Sequence, residues 1–438
     1  MSQRPQDEKT KSSDLRPLYA RQITNSFGSG TVSPFLSFYT AWGLHGSVSE
    51  LGWLQAVSNF APNVMQVPWG KLSDKMGRRI PFIILGGLLT AALWVPLMFV
   101  GTAMQLIVVV AVQSILGSMA IPTWTALIGD LSQSSKRGIT TAALNRVAGF
   151  GGLLATLSSG YLMILVHGTP QEILLLPLLI AIGFGVASSL VMMPIREKRF
   201  QNNSSKSSIF DMRDVAKLAR GNPHFLRFTV ASIIFGFFMS VSWPLFAITQ
   251  NDILHLSMLE VGLIGVLSGV VTIALQPWGG KLVDGVGRRP LIILYRFSLV
   301  LVPVLYALAT NVYHLYLLNL IIGVTAAFSD IALLAYLLDI SKEETRGTMT
   351  AFYNLVIGIF YFVGSLVGGY LATYFVGVFG LLLGLQIVYA MSAVGRGIGA
   401  LTFMSIEEPF KYPSSLKREI HELMQRLPLM PERSPSQP

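Results

Sequence analysis

Twelve apolar runs, each 19 to 28 residues long, alternate with short polar connections along this chain. They cover 18–42, 51–69, 80–101, 105–128, 138–164, 172–194, 224–249, 259–279, 290–309, 312–337, 347–374 and 378–404. A helix needs about 20 apolar residues to cross the hydrocarbon of a bilayer, so each run predicts one transmembrane helix. Gly28, Gly30, Pro34 and Pro62 fall inside these runs. Such residues are tolerated in membrane helices because neighbouring helices satisfy the backbone groups they free. The first run follows sixteen polar residues and has no small-residue cleavage pattern behind it, which predicts a retained helix rather than a signal peptide.

The basic residues give the predicted runs an orientation. Of 32 Lys and Arg, 27 fall in the N-tail, in the connections after even-numbered runs, or in the C-tail. The other five, Arg21, Arg146, Arg227, Arg296 and Arg396, lie inside runs, and the six opposite loops hold none. Positive charge marks the cytoplasmic side, so both termini are expected inside a plasma or inner membrane. The expected organisation is a cytoplasmic N-tail 1–17, a six-helix bundle 18–194, a cytoplasmic linker 195–223, a second bundle 224–404 and a cytoplasmic C-tail 405–438. Within the linker, Ser208 and Asp211 can head a short surface helix. The Pro-rich end from Leu427 predicts disorder.

Composition agrees with this and removes rivals. Charged residues are 12% of 438 positions, hydrophobic residues 52%, and the mean hydropathy is +0.58. Too little charge is present to wet the surface of a soluble protein of this size. The net charge of +10 is spread between apolar runs, so it does not describe a nucleic-acid-binding domain. The six His are scattered and there is no Cys, so neither a metal site nor a cofactor is expected. Nothing resembles a phosphate loop, and no enzymatic activity is expected.

The first half of the chain recurs in the second at a spacing of about 210. Gly70-Lys71-Leu72-Ser73-Asp74-Lys75-Met76-Gly77-Arg78-Arg79 returns as Gly280-Lys281-Leu282-Val283-Asp284-Gly285-Val286-Gly287-Arg288-Arg289. Glu50-Leu51-Gly52 matches Glu260-Val261-Gly262, and Pro34 matches Pro244. Asp130 with Arg137 matches Asp339 with Arg346, and Asn145 matches Asn354. The doubled G-x-L-x-D-x-x-G-R-R resembles the cytoplasmic loop motif of the major facilitator superfamily, and the resemblance covers residues 16–405. It implies an all-α membrane protein of twelve transmembrane helices in two homologous six-helix bundles, transporting by alternating access. It also implies that these loops latch the cytoplasmic side shut in the outward-facing state, with Asp74 and Asp284 at helix N-termini. By the same resemblance Arg78 and Arg288 hold charged partners across the gap between halves, and Asp130, Arg137, Asp339 and Arg346 belong to the same latch. Lys71, Lys75 and Arg79 are assigned to setting topology instead.

Departures from the family narrow the reading. Drug exporters usually carry an Arg in the fourth helix, four residues before a Gly; here Gln113 precedes Gly117. Their G-P-x-x-G-G is replaced by Ala155-Thr156-Leu157-Ser158-Ser159-Gly160. The expected function is therefore secondary transport of a small molecule, with a proton or another coupling ion as partner, by a monomer. The alternatives are a proton-driven multidrug antiporter and a receptor of the same fold that does not transport.

Polar groups at membrane depth are costly, so each is a candidate for the site. Asp330 and Arg146 lie at similar depth in different halves, and their repeat equivalents, Ile121 and Leu355, are apolar. Two readings stand: the two pair when the inner gate closes, or each serves separately, Arg146 binding an anionic substrate and Asp330 held by backbone or water. Asn25, Gln113 and Trp243 are further candidates, each with a plainer reading: a bond to a neighbouring helix, or an aromatic anchor at the interface. Arg21, Arg227 and Arg396 are expected to snorkel to the inner interface, and Arg296 to sit on a peripheral helix.

Overall fold

A computed structural model describes residues 15–131, 137–195, 217–341 and 345–408; Arg137, Gly138, Ile139, Gly280, Lys281, Asp284 and Asp330 are described by backbone alone. The proposed linker helix from Ser208 and the C-tail beyond Glu408 lie outside the described residues. The described chain is almost wholly helical. We number its helical segments α1 to α12, several of them in two pieces. α1 comprises Arg16–Val32 and Leu36–Trp42, and α2 comprises Val48–Val64 and Gln66–Met76. α3 is Ile80–Leu97, α4 is Ala103–Gly117 with Ala120–Leu131, α5 is Arg137–Leu165 and α6 is Pro170–Leu190. The second half repeats the order: α7, Pro223–Val241 with Trp243–Ile248; α8, Met258–Val286; α9, Arg288–Ser298 with Leu301–Leu308. α10 is Val312–Asp339, α11 is Arg346–Phe379 and α12 is Leu381–Thr402.

Ten of these segments, α3 to α12, are long and apolar enough to cross a membrane. α1 and α2, expected as spans, are helical but broken into shorter pieces. Proline explains the breaks. Its ring lacks an N–H and collides with the carbonyl four residues earlier. Pro34 sits in the 3-10 turn that divides α1, and Pro68 opposes the carbonyl of Val64, where the first piece of α2 ends. Pro122 and Pro303 stand in the same relation to the interruptions of α4 and α9.

The repeat is visible in backbone detail. Ser47 with Glu50 and Ser257 with Glu260 form reciprocal capping boxes that start α2 and α8. His45 and His255, 210 residues apart, both take a φ of 50° in the loops before them. These loops lie at the end of the molecule that holds no Lys or Arg, called here the bare end. The opposite, basic end carries loops 70–79 and 280–289.

The two halves meet along α2 with α11 and α5 with α8, and where α1 and α2 meet the far part of α7. Glycine sets the closeness. A Cβ on Gly52 would stand 2.9 Å from the Ser365 carbonyl, and one on Gly160 would stand 3.1 Å from the Leu259 backbone. Trp53 donates to the Tyr370 hydroxyl at 3.1 Å across the same seam. The described contacts run from Gly52–Gly369 and Gly160–Leu259 at the bare end to Asn63–Gly358 and Gly149–Ile273 further in.

Candidate functional site

A cavity of about 410 Å³ lies inside the N-terminal half, among α1, α3, α4 and α6, with Pro62 of α2 also on its wall. Gly28, Gly86, Gly87, Gly117 and Gly185 line it, and Asn25 and Gln113 both face it. Gln113 donates to the Thr90 carbonyl at 3.1 Å, tying α4 to α3. A second cavity, about 530 Å³, lies between α1, α5 and α8, so that both halves line it; it shares Ser29 and Ser33 with the first.

Among the described residues, Arg21 is the only ionisable one lining the first cavity, and it does not snorkel. It is 5% exposed, with its guanidinium carbon 4.2 Å from the centre of the Trp124 ring. A cation over an indole face is attracted by the ring's negative quadrupole. The signal in sequence is Trp124 itself, whose helical position on α4 turns an aromatic face toward α1.

Arg396 also departs from expectation. It is 1% exposed, enclosed by α7, α9 and α12. It donates to the carbonyls of Leu299 at 2.8 Å and Met239 at 2.9 Å, and to the Ser242 hydroxyl. Leu299 is the carbonyl that Pro303 leaves without its helical partner, so the break in α9 supplies the acceptor that holds the charge. Arg296 is buried with its guanidinium 4.7 Å from the Phe235 ring centre and 4.8 Å from that of Phe403. Arg227 alone of the set meets a carboxylate among the described residues, that of Glu407.

The remaining candidates stand apart. Trp243 starts the second piece of α7 and packs on Tyr361 of α11, ring centres 5.0 Å apart. Arg146 is exposed and has no ion pair among the described residues; the side chain of Asp330 lies outside them. The structure thus brings Asn25 and Gln113 to one cavity and leaves Arg146 and Trp243 out of its described lining.

At the basic end the described ion pairs lie within each half rather than across the gap. Arg79, not Arg78, makes them in the first half: Nε to Asp130 at 2.7 Å and Nη1 to Asp74 at 3.2 Å. Arg78 is exposed. In the second half the repeat equivalent of Arg78 takes over, Arg288 Nε standing 3.1 Å from Asp339. The glycine before each pair explains this one-residue change. Gly77 is left-handed at φ 63°, ψ 26°, whereas Gly287 takes φ 97°, ψ 174°, a region open essentially to glycine alone. The turned ψ carries the following residue to the other side. Arg346 donates to the Leu338 carbonyl at 3.1 Å, and the side chains of Arg137 and Asp284 lie outside the described residues. Gly70 is half-buried, and the surroundings of Gly280 are likewise undescribed. Sequence reading missed Glu408, whose carboxylate accepts from the backbone N–H of Arg288 at 3.1 Å and of Arg289 at 2.8 Å.

A family model described as the Major Facilitator Superfamily matches residues 19–247 and again residues 228–432. The chain belongs to the major facilitator superfamily. As a member of that family with ten long apolar helices, it is a multi-pass membrane transporter. An uncharacterized MFS-type transporter of Methanocaldococcus jannaschii is 22% identical over 89% of this chain and 97% of its own. Multidrug resistance protein 2 of Bacillus subtilis is 27% identical over 185 residues, 39% of this chain; that match spans 44% of the relative's length. Among solved structures, a point mutant of the nucleoside transporter NupG superposes with a TM-score of 0.74 at 13% identity, covering 90% of this chain and 99% of that one. A bacterial homolog of the human lysosomal transporter Spinster superposes at 0.66 and 14% identity, covering 94% and 100%. At these identities the superpositions establish the fold.

Proposed function

We propose that this superfamily member is a secondary transporter that carries a small molecule by rocking its two bundles about a central space, with the basic end in the cytoplasm. The observation that carries the reading is the one-sided seam: glycine-mediated contacts join the halves toward the bare end, and a cavity lined by both halves lies beside them. Such an arrangement fits a state closed to the outside, and ion pairs confined to one half let each bundle end move as a rigid body. In the opposite state the basic loops would meet, and Arg146 with Asp330 would approach as coupling partners, a proton on Asp330 releasing them. The energy source is an ion gradient or the substrate's own, and the protein acts as a monomer in the plasma or inner membrane.

The natural absence of Cys permits a direct test. Thr272, on α8 in the shared cavity, is replaced by Cys and treated with a membrane-impermeant maleimide in intact cells and inside-out vesicles. Labelling confined to the vesicles supports the reading; equal labelling of both faces overturns the one-sided seam. Counterflow in proteoliposomes separates transporter from receptor, since a receptor gives no flux. A second reading, proton-driven multidrug efflux, is favoured by the similarity to Multidrug resistance protein 2 and by a 26% match over 119 residues to Multidrug resistance protein 1 of the same organism. Proton-dependent extrusion of a cationic dye from loaded vesicles decides between it and a narrower substrate range.

A further inference from the structure

We propose that the cavity of the N-terminal half binds a small organic monoanion, a carboxylate on a flat apolar body, with Arg21 receiving the charge. That the bound anion is the transported substrate rests on the transporter reading; the binding itself does not.

A buried ion without a counter-charge or acceptor is costly, and the other two deeply buried arginines are held in two different ways. Arg396 has three oxygen acceptors, and the Arg296 guanidinium stands against the rings of both Phe235 and Phe403. Arg21 has the Trp124 ring and the cavity beside it, and its guanidinium makes no ion pair or hydrogen bond among the described residues. A guanidinium offers five N–H donors in a plane, a shape that matches a carboxylate edge-on. Among the described residues no acidic side chain lines the cavity to supply the missing acceptor.

The rest of the lining narrows the ligand. One cation among the described lining residues suits a single negative charge. The hydroxyls of Thr90, Ser118 and Thr125 donate to carbonyls of their own helices, whereas the amides of Gln22 and Asn25 have no partner among the described residues and remain for the ligand. Trp94 and Trp124 give flat aromatic walls, and the glycines of α3 and α4 let a ring approach the backbone. A volume of about 410 Å³ falls in the range of sites for small molecules, ~300–1,000 Å³.

The repeat supplies an unusual control. Asn25 corresponds to Phe235, which fills this position in the second half, so Asn25→Phe plugs the cavity with a residue the fold already accepts there. The purified full-length chain is titrated with butyrate, benzoate and 1-naphthoate, each beside its uncharged amide, and followed by thermal unfolding and tryptophan fluorescence. The carboxylates are expected to raise the unfolding temperature while the amides do not, a ligand that binds the fold stabilising it. Arg21→Gln should weaken benzoate binding about tenfold or more, the loss of one charge-assisted contact. Asn25→Phe should abolish it with helix content unchanged, and Arg21→Lys, which keeps the charge, should retain part of it should Arg21→Gln fail to fold. Carboxylates and amides acting alike, benzoate binding intact in Asn25→Phe, or no response to any of the three acids overturns the proposal. Counterflow with the same acids keeps the two readings apart: binding without flux removes the transport reading and leaves the site, while flux of another solute without acid binding does the reverse.

Discussion

In the N-terminal half the space enclosed by α1, α3, α4 and α6 is a cavity; in the C-terminal half the corresponding space, enclosed by α7, α9 and α12, is filled. The repeat spacing of 210 sets Asn25 against Phe235 and Gly86 against Arg296. Where glycine and an amide leave room in one half, a guanidinium packs against two phenylalanines in the other. Nearer the bare end, Phe246, Tyr306 and Tyr389 stack at 4.3 to 6.1 Å, and Tyr389 and Tyr306 bond to Thr249 and Gln250. A common backbone thus supports two interiors. One half is filled with buried guanidinium groups and aromatic rings, while the glycine-lined half keeps open space.

The comparison breaks most visibly at Arg396. Arg396→Leu removes three hydrogen bonds in a dry interior, to two carbonyls and a hydroxyl, and is expected to cost about 3 kcal/mol of stability. Thermal unfolding in detergent should show it as the largest loss of this series, whereas Arg21→Leu, which strips no acceptor, should cost less. If the two variants lose equal stability, the halves do not differ in the way described.

Next come the two loop glycines. Gly287→Ala forces alanine into a backbone region reserved for glycine and should cost about 2 kcal/mol; Gly77→Ala, left-handed but allowed, should cost about 1 kcal/mol. Equal costs would show that the two loops share one conformation. The ion pairs follow. Arg79→Ala and Arg288→Ala should each cost about 1 kcal/mol, since their partners are part-exposed, and should slow transport; Arg78→Ala should change neither. The smallest effect is expected for Gln113→Leu, a loss of under about 1 kcal/mol as one bond between α4 and α3 disappears.

Which parts are legible in sequence follows from what each feature depends on. The two bundles and the repeat rest on hydropathy and on residues that recur at fixed spacing, so both can be read directly. The capping boxes at Ser47 and Ser257 are local enough to recognise. Arg79 is not separable from Arg78, because the choice depends on the ψ of the glycine before them, and the same letter permits both values. Distance from a helix end misleads for Arg21 and Arg396. Their fate is decided by tertiary partners, Trp124 on another helix and a carbonyl exposed by Pro303, which no window along the chain brings together. Asn25 and Gln113 are found as polar groups inside apolar runs, but Gln22, three residues before Asn25 in the same run, also lines the cavity and is missed by the same reading.

The carboxylate of Glu408 holds the backbone of a loop 119 to 120 residues earlier in the chain. During synthesis that loop is made and inserted long before its clasp exists. The second half therefore finishes assembling only after the ribosome has passed its last helix. A nascent chain arrested before Glu408 would carry all the helices of both halves and still lack this clasp on the loop that joins its eighth helix to its ninth.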